Sequence, residues 1–226
     1  MATVLTVIAL CFAAIASWNS PFASASASRV ASSNTCENEK GKTLLANRQA
    51  RVYVFAGTEP PKSARIFGCL FSVGRPWQLN AVPRHSVFGE ARGISVDDAS
   101  LILKDQQVAY PEYFYGVDSS VLAVTTKSLR TGQVTYCKVG FRIAPSRTPK
   151  VSGIELTRRG SVAWIGRSRP QHSSGRDPLT PEVGACDSTG SHILEAGEQI
   201  DLHSLALRGS TLSWENAGVV HTAVLD

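Results

Sequence analysis

The sequence predicts an all-β fold of about four repeats of roughly 50 residues, β-propeller-like in pattern, with a β-sandwich as the alternative. Three observations carry that expectation. Charged residues make up 18% of the 226 positions, below the ~25% usual for soluble domains, while apolar residues reach 43%. One phrase recurs four times: alternating aliphatics, a short polar turn, then an aliphatic, a small residue and an aromatic. Gly- and Asp-bearing turns separate the period-two runs, as hairpins require.

Residues 1–28 read as a secretory leader and its cleavage region. Val4 to Ala16 is largely apolar but too short to cross a bilayer, which takes ~20 residues. Pro21 follows it, and alanines alternate with serines from Ala23 to Ser28, which fits cleavage near Ala25 or Ala27. The leader departs from the usual pattern in having no Lys or Arg before Arg29. Residues 29–42 are expected to be an N-terminal extension, and 43–226 the β-repeat domain. No later run is long and apolar enough for a membrane span, so the mature chain is expected to be secreted or to lie in the cell envelope.

The cysteines agree with export. Beyond Cys11 in the leader, Cys36, Cys69, Cys137 and Cys186 form an even set, and three connectivities are open to them. Closing shorter loops costs less chain entropy, which favours Cys36–Cys69 and Cys137–Cys186. No spacing is C-x-x-C, so neither a zinc knuckle nor a thioredoxin-type motif is expected.

In order along the chain, the first copy runs Leu44-Leu45 through Val52-Tyr53. The second pairs Leu101–Leu103 with Val108-Ala109-Tyr110, the third Ile154–Leu156 with Val162-Ala163-Trp164, and the fourth Leu205–Leu207 with Leu212-Ser213-Trp214. Each is a hairpin whose alternation places aliphatics on one buried face. A second hairpin follows in three units: Ile66–Leu70 with Trp77–Leu79, Val121–Val124 with Val134–Tyr136, and Glu182–Cys186 with His192–Leu194. The fourth unit has only Val219–Leu225 after its first hairpin, one strand short. The stretch from Glu39 to Asn47 is the one place where helical periodicity competes.

Gly160 to Ile165, followed by Leu194-Glu195-Ala196-Gly197 and Ile200 to Leu205, resembles a pattern found in exported bacterial proteins of unassigned function built from β-propeller-like repeats. The resemblance implies a fold over roughly Leu44 to Leu225 and implies no catalysis.

Motifs of chemistry are weak. Gly41-Lys42-Thr43 lacks the earlier Gly of a phosphate-binding loop, the position being Cys36. No G-x-S-x-G elbow and no H-E-x-x-H occur. His85, His172, His192, His203 and His221 are scattered, and His192 and His221 fall on expected strands as structural residues. Asp97 with Asp98, or Glu195, Glu198 and Asp201, would have to pair for glycoside hydrolysis, but they read as solvated turn residues. No catalytic, cofactor-binding or metal-binding residue is assigned.

The segment Arg167 to Pro181 stands out. Arg167, Arg169, His172 and Arg176 lie in it among Ser, Gly and Pro, and with Arg158 and Arg159 they form the densest positive region of a chain of net charge +5. These four are the candidate ligand contacts, for a protein or an anionic envelope polymer. Nucleic acid is not expected as a main partner, since no recognised binding signature accompanies the charge. The expected function is an extracytoplasmic binding module; the alternative is a small secreted polysaccharide hydrolase or lyase.

Overall fold

A computed structural model of the chain describes residues 36, 40–55, 65–79, 92–93, 100–115, 119–143, 149–169 and 178–226. The chain divides into two units, Met1–Ala31 and Ser32–Asp226, and the described residues all lie in the second. The expected leader lies outside the described residues, as does most of the expected extension.

The described part of the second unit is built from antiparallel sheets. The first contains β1 (Lys42–Ala46), β2 (Ala50–Phe55), β3 (Arg65–Leu70) and β4 (Pro76–Gln78) in sequence order. The second contains β5 (Arg92–Gly93), β6 (Ile102–Lys104), β7 (Gln107–Tyr115), β8 (Ser119–Ser128) and β9 (Val134–Ile143), with β5 and β6 both pairing β7. The third is β10 (Lys150–Leu156), β11 (Val162–Ser168), β12 (Thr180–Asp187) and β13 (Gly190–Ala196). The fourth holds β14 (Ala206–Arg208), β15 (Thr211–Asn216) and β16 (Val219–Val224). Among the described residues the fold is all-β, and none of the sheets closes on itself.

Each recurring phrase forms the first hairpin of one sheet. The helical alternative over Glu39 to Asn47 is overturned where it is described: Lys42–Ala46 pairs with β2. The reason is local. Asn47 Oδ1 accepts the Gln49 and Ala50 backbone N–H groups, at 2.8 and 2.9 Å, so the chain turns back where a helix would continue. The two-residue β5 matches none of the expected strands, and β7, β8 and β9 run beyond the expected segments.

Alternation then builds the core. Ala50, Val52, Ile66 and Leu70 of the first sheet meet Val108 and Tyr110 of the second. The second sheet turns Ala109, Leu122 and Val124 toward Val151, Leu156, Val162 and Trp164 of the third. The third sheet's other face, with Ala163, Ile165, Val183 and Ala185, meets Leu212, Trp214 and Leu225. The second and third sheets thus bury both faces, which is why β11 reads as a continuous apolar run followed by Gly and polar residues.

The repeat aromatics hold equivalent places. Tyr53, Tyr110, Trp164 and Trp214 all lie on the second strand of the phrase hairpin and are buried. Tyr110, Trp164 and Trp214 join the apolar clusters shared with the preceding sheet. Tyr53 instead packs in a cluster with Cys36, Cys69, Phe55 and Phe67.

Both expected disulfides are present. Cys36–Cys69 has its Cα atoms 5.7 Å apart, and Cys137–Cys186 has them 5.9 Å apart. The second bond ties β9 to β12 and so cross-links the second and third sheets.

Candidate functional site

The third sheet separates the chain's densest positive stretch into two places. Arg158 and Arg159 sit in the β10–β11 turn, where Gly160 takes a φ of 97°. Arg167 lies near the far end of β11. At about 3.3 Å per residue, the two ends of that strand are about 20 Å apart. Arg158 Nε is 3.1 Å from Asp105 Oδ2, linking the turns of neighbouring sheets. Arg158 and Arg159 therefore belong to the opposite end of the sheet from the long connection 169–179.

At the root of that connection the candidate contacts differ from one another. Arg167 Nη1 is 3.9 Å from Glu198 Oε2, with both side chains substantially exposed. Arg169, directly after β11, is buried, at 7% exposure, and so is not part of an open surface. His172 and Arg176 lie outside the described residues.

Glu182, on β12, faces the core of the second and third sheets beside Trp164 and Ser168. The register explains this: Gly166 stands opposite Glu182 and Trp164 opposite Gly184. Burial pushes the Glu182 carboxyl above the usual range, and nearby Ser168 and Trp164 only soften the shift. Trp164 Nε1, Ser168 Oγ and Glu182 Oε1 complete no well-aligned hydrogen bond among the described residues.

A second constellation links the third and fourth sheets. Glu195, at the end of β13, accepts hydrogen bonds from Trp214 Nε1 and Asn216 Nδ2 on β15. His221 Nδ1 on β16 is 3.4 Å from Glu195 Oε2, and the imidazole stacks on the Trp214 ring with centroids 6.0 Å apart. The two donors, and then the His221 charge, hold the Glu195 carboxyl below its ordinary range, with modest desolvation opposing them. His221 sits opposite the fourth repeat aromatic, at the position that Phe67, Thr125 and Gly184 hold in the other three sheets, so the repeat places the residue without setting its type.

The acidic residues considered for hydrolysis do not converge. Glu195 is engaged by the fourth sheet, Glu198 by Arg167, and Asp201 Oδ1 caps its own turn by accepting the His203 N–H at 3.0 Å. Asp97 and Asp98 lie outside the described residues. Glu182 and Glu195 titrate in opposite directions, but Glu195 stands opposite Val183, on the other face of the sheet from Glu182. A glycosidase pair must flank one bond from one cleft, which this arrangement does not provide.

Among the described residues no group of three or more His, Cys, Asp or Glu side chains is placed to hold a metal ion, and no helix is long and apolar enough to cross a membrane. Comparison with protein-family models finds no match, and comparison with curated proteins finds none either.

Proposed function

We propose that this protein is an extracytoplasmic β-repeat module, an open propeller-like array, that binds a protein or anionic envelope polymer where the third sheet carries its long connection. The main support is the link 169–179 between β11 and β12, where a tight hairpin needs about two residues. Loops held on rigid sheets are favoured places for binding residues. Its root presents Arg167 half-exposed beside Glu198, and His172 and Arg176 lie within the link. Two disulfides fit an oxidising compartment, in keeping with secretion and with a leader at residues 1–28. The resemblance to exported repeat proteins bears on the fold only.

The test is binding of the oxidised full chain to inorganic polyphosphate, followed by capture from envelope and culture-supernatant fractions. Replacing Arg167, His172 and Arg176 together by Ala should weaken polyphosphate binding and flatten its salt dependence. Arg169 stays in place, because it is buried and its loss would confuse stability with affinity. Glu198→Gln should strengthen binding by releasing Arg167. Absence of polyanion binding, or binding that the triple variant leaves unchanged, overturns the anionic reading; captured protein lost with the triple variant supports the protein partner.

A further inference from the structure

The fourth sheet ends on β16, which among the described residues pairs with β15 alone. The third strands of the first three sheets, β3, β8 and β12, each carry a further antiparallel strand. We propose that β16 pairs edge to edge with β16 of a second copy of this chain, across a two-fold axis at Thr222.

The backbone fixes which groups are free. Ala217 and Gly218 both have positive φ, 54° and 77°, so the β15–β16 turn is the two-residue mirror-image type that gives a hydrogen-bonded flanking pair, Asn216 and Val219. The Leu225 N–H reaches Ser210 O at 2.8 Å, in phase with that pair. Residues 219, 221, 223 and 225 thus spend their backbone groups on β15. Val220, Thr222 and Val224 point theirs at the open edge.

The same three residues are self-complementary. Val220 and Val224 are 67% and 66% exposed and lie symmetrically about Thr222. In a two-fold antiparallel pairing Val220 meets Val224 of the partner subunit, Thr222 meets Thr222 of the partner subunit, and each pair exchanges both of its N–H···O bonds. No like charges meet, since β16 contains no Asp, Glu, Lys or Arg, and its one titratable side chain, His221, faces Trp214 and Glu195. The partner strand also runs in the antiparallel sense that β4, β9 and β13 adopt in their own sheets.

Among the described residues the other edges are protected, and β16 is not. β1 and β10 have register shifts and a Lys; β13 has a register shift and Glu195; β4 begins with Pro76. β9 carries Lys138 and pairs across a register shift, β5 is two residues long, and β6 and β14 are short strands with Lys104 and Arg208. Such devices blunt edge-to-edge association. β16 keeps unbroken register over all its residues and has neither Pro nor charge.

Sedimentation of the oxidised full chain over a range of concentrations tests this, with hydrogen exchange at the Val220, Thr222 and Val224 amides. The expectation is a concentration-dependent dimer in which those three amides gain protection. Thr222→Pro removes an N–H that the monomer does not use, and Val220→Lys charges an exposed side chain; each should raise the dimer dissociation constant at least tenfold. A chain that stays monomeric throughout overturns the proposal and leaves the edge to some other strand. A dimer that both variants leave intact overturns it as well.

Discussion

Gly184 shows how closely single side chains are fitted. A Cβ there would stand 2.2 Å from the indole of Trp164, the fully buried aromatic of the third repeat. Gly184→Ala therefore overpacks the core between the second and third sheets and should cost about 1–3 kcal/mol. Urea titration checks it: an unchanged midpoint would mean the indole can move aside freely. Two carboxylates give a sharper residue-scale expectation, because their shifts oppose. Glu195 is held low, so its contribution is complete above the ordinary carboxyl range and fades as pH falls through its lowered value. Glu195→Gln should destabilise at neutral pH and converge with the parent in acid. Glu182 is pushed up by burial, so its cost is absent in acid and grows as pH rises through the ordinary range to its raised value. Glu182→Gln should stabilise at neutral pH and change nothing in acid. Thermal melts of both variants at pH 3 and pH 7 decide the matter, and parallel pH profiles would refute it. Neither role is visible in the sequence, where Glu195 resembles a solvated turn residue and Glu182 one polar position in a strand. What sets them apart is contact across strands and sheets, which local patterning does not encode.

At the scale of elements, the sequence is most readable where alternation is strict. The phrase hairpins emerge because Leu101–Leu103 or Ile154–Leu156 can bury one face only as strands, and turn residues mark their ends. Between Glu39 and Asn47 the apolar spacing alone was ambiguous, and the Asn47 turn resolved it. The positive stretch from Arg158 to Arg176 misleads for a related reason. A seven-residue strand lies inside it and carries its two halves to opposite ends of the sheet. Cysteine pairing was legible through loop length, and it carries its own prediction. The Cys137–Cys186 separation of 49 residues corresponds, by chain entropy, to about 4 kcal/mol. Replacing both cysteines by Ser should lower stability by that order and loosen the contact of β9 with β12. Denaturation of the double variant without reductant measures it; a loss well under 1 kcal/mol would show that packing alone holds the two sheets together.

Across the repeat domain, consecutive sheets share their apolar clusters mainly with immediate neighbours, so stability should vary along the chain as it does in repeat proteins. The second and third sheets bury both faces and share a disulfide, whereas the fourth has, among the described residues, three strands and no cysteine. Its hold on the third sheet comes from Leu212, Trp214 and Leu225 against Ile165 and Val183, with the Glu195 hydrogen bonds at the margin. Native-state hydrogen exchange should accordingly find the β15 and β16 amides opening at lower free energy than those of β8 and β11. Leu212→Ala, at a fully buried position, should cost about 2–5 kcal/mol. Because that loss falls on the outermost sheet, it should lower protection in β14–β16 while β7, β8 and β11 keep most of theirs. If protection falls equally in all four sheets, the repeat domain unfolds as one cooperative body, and contacts beyond neighbouring sheets must carry a share of its stability.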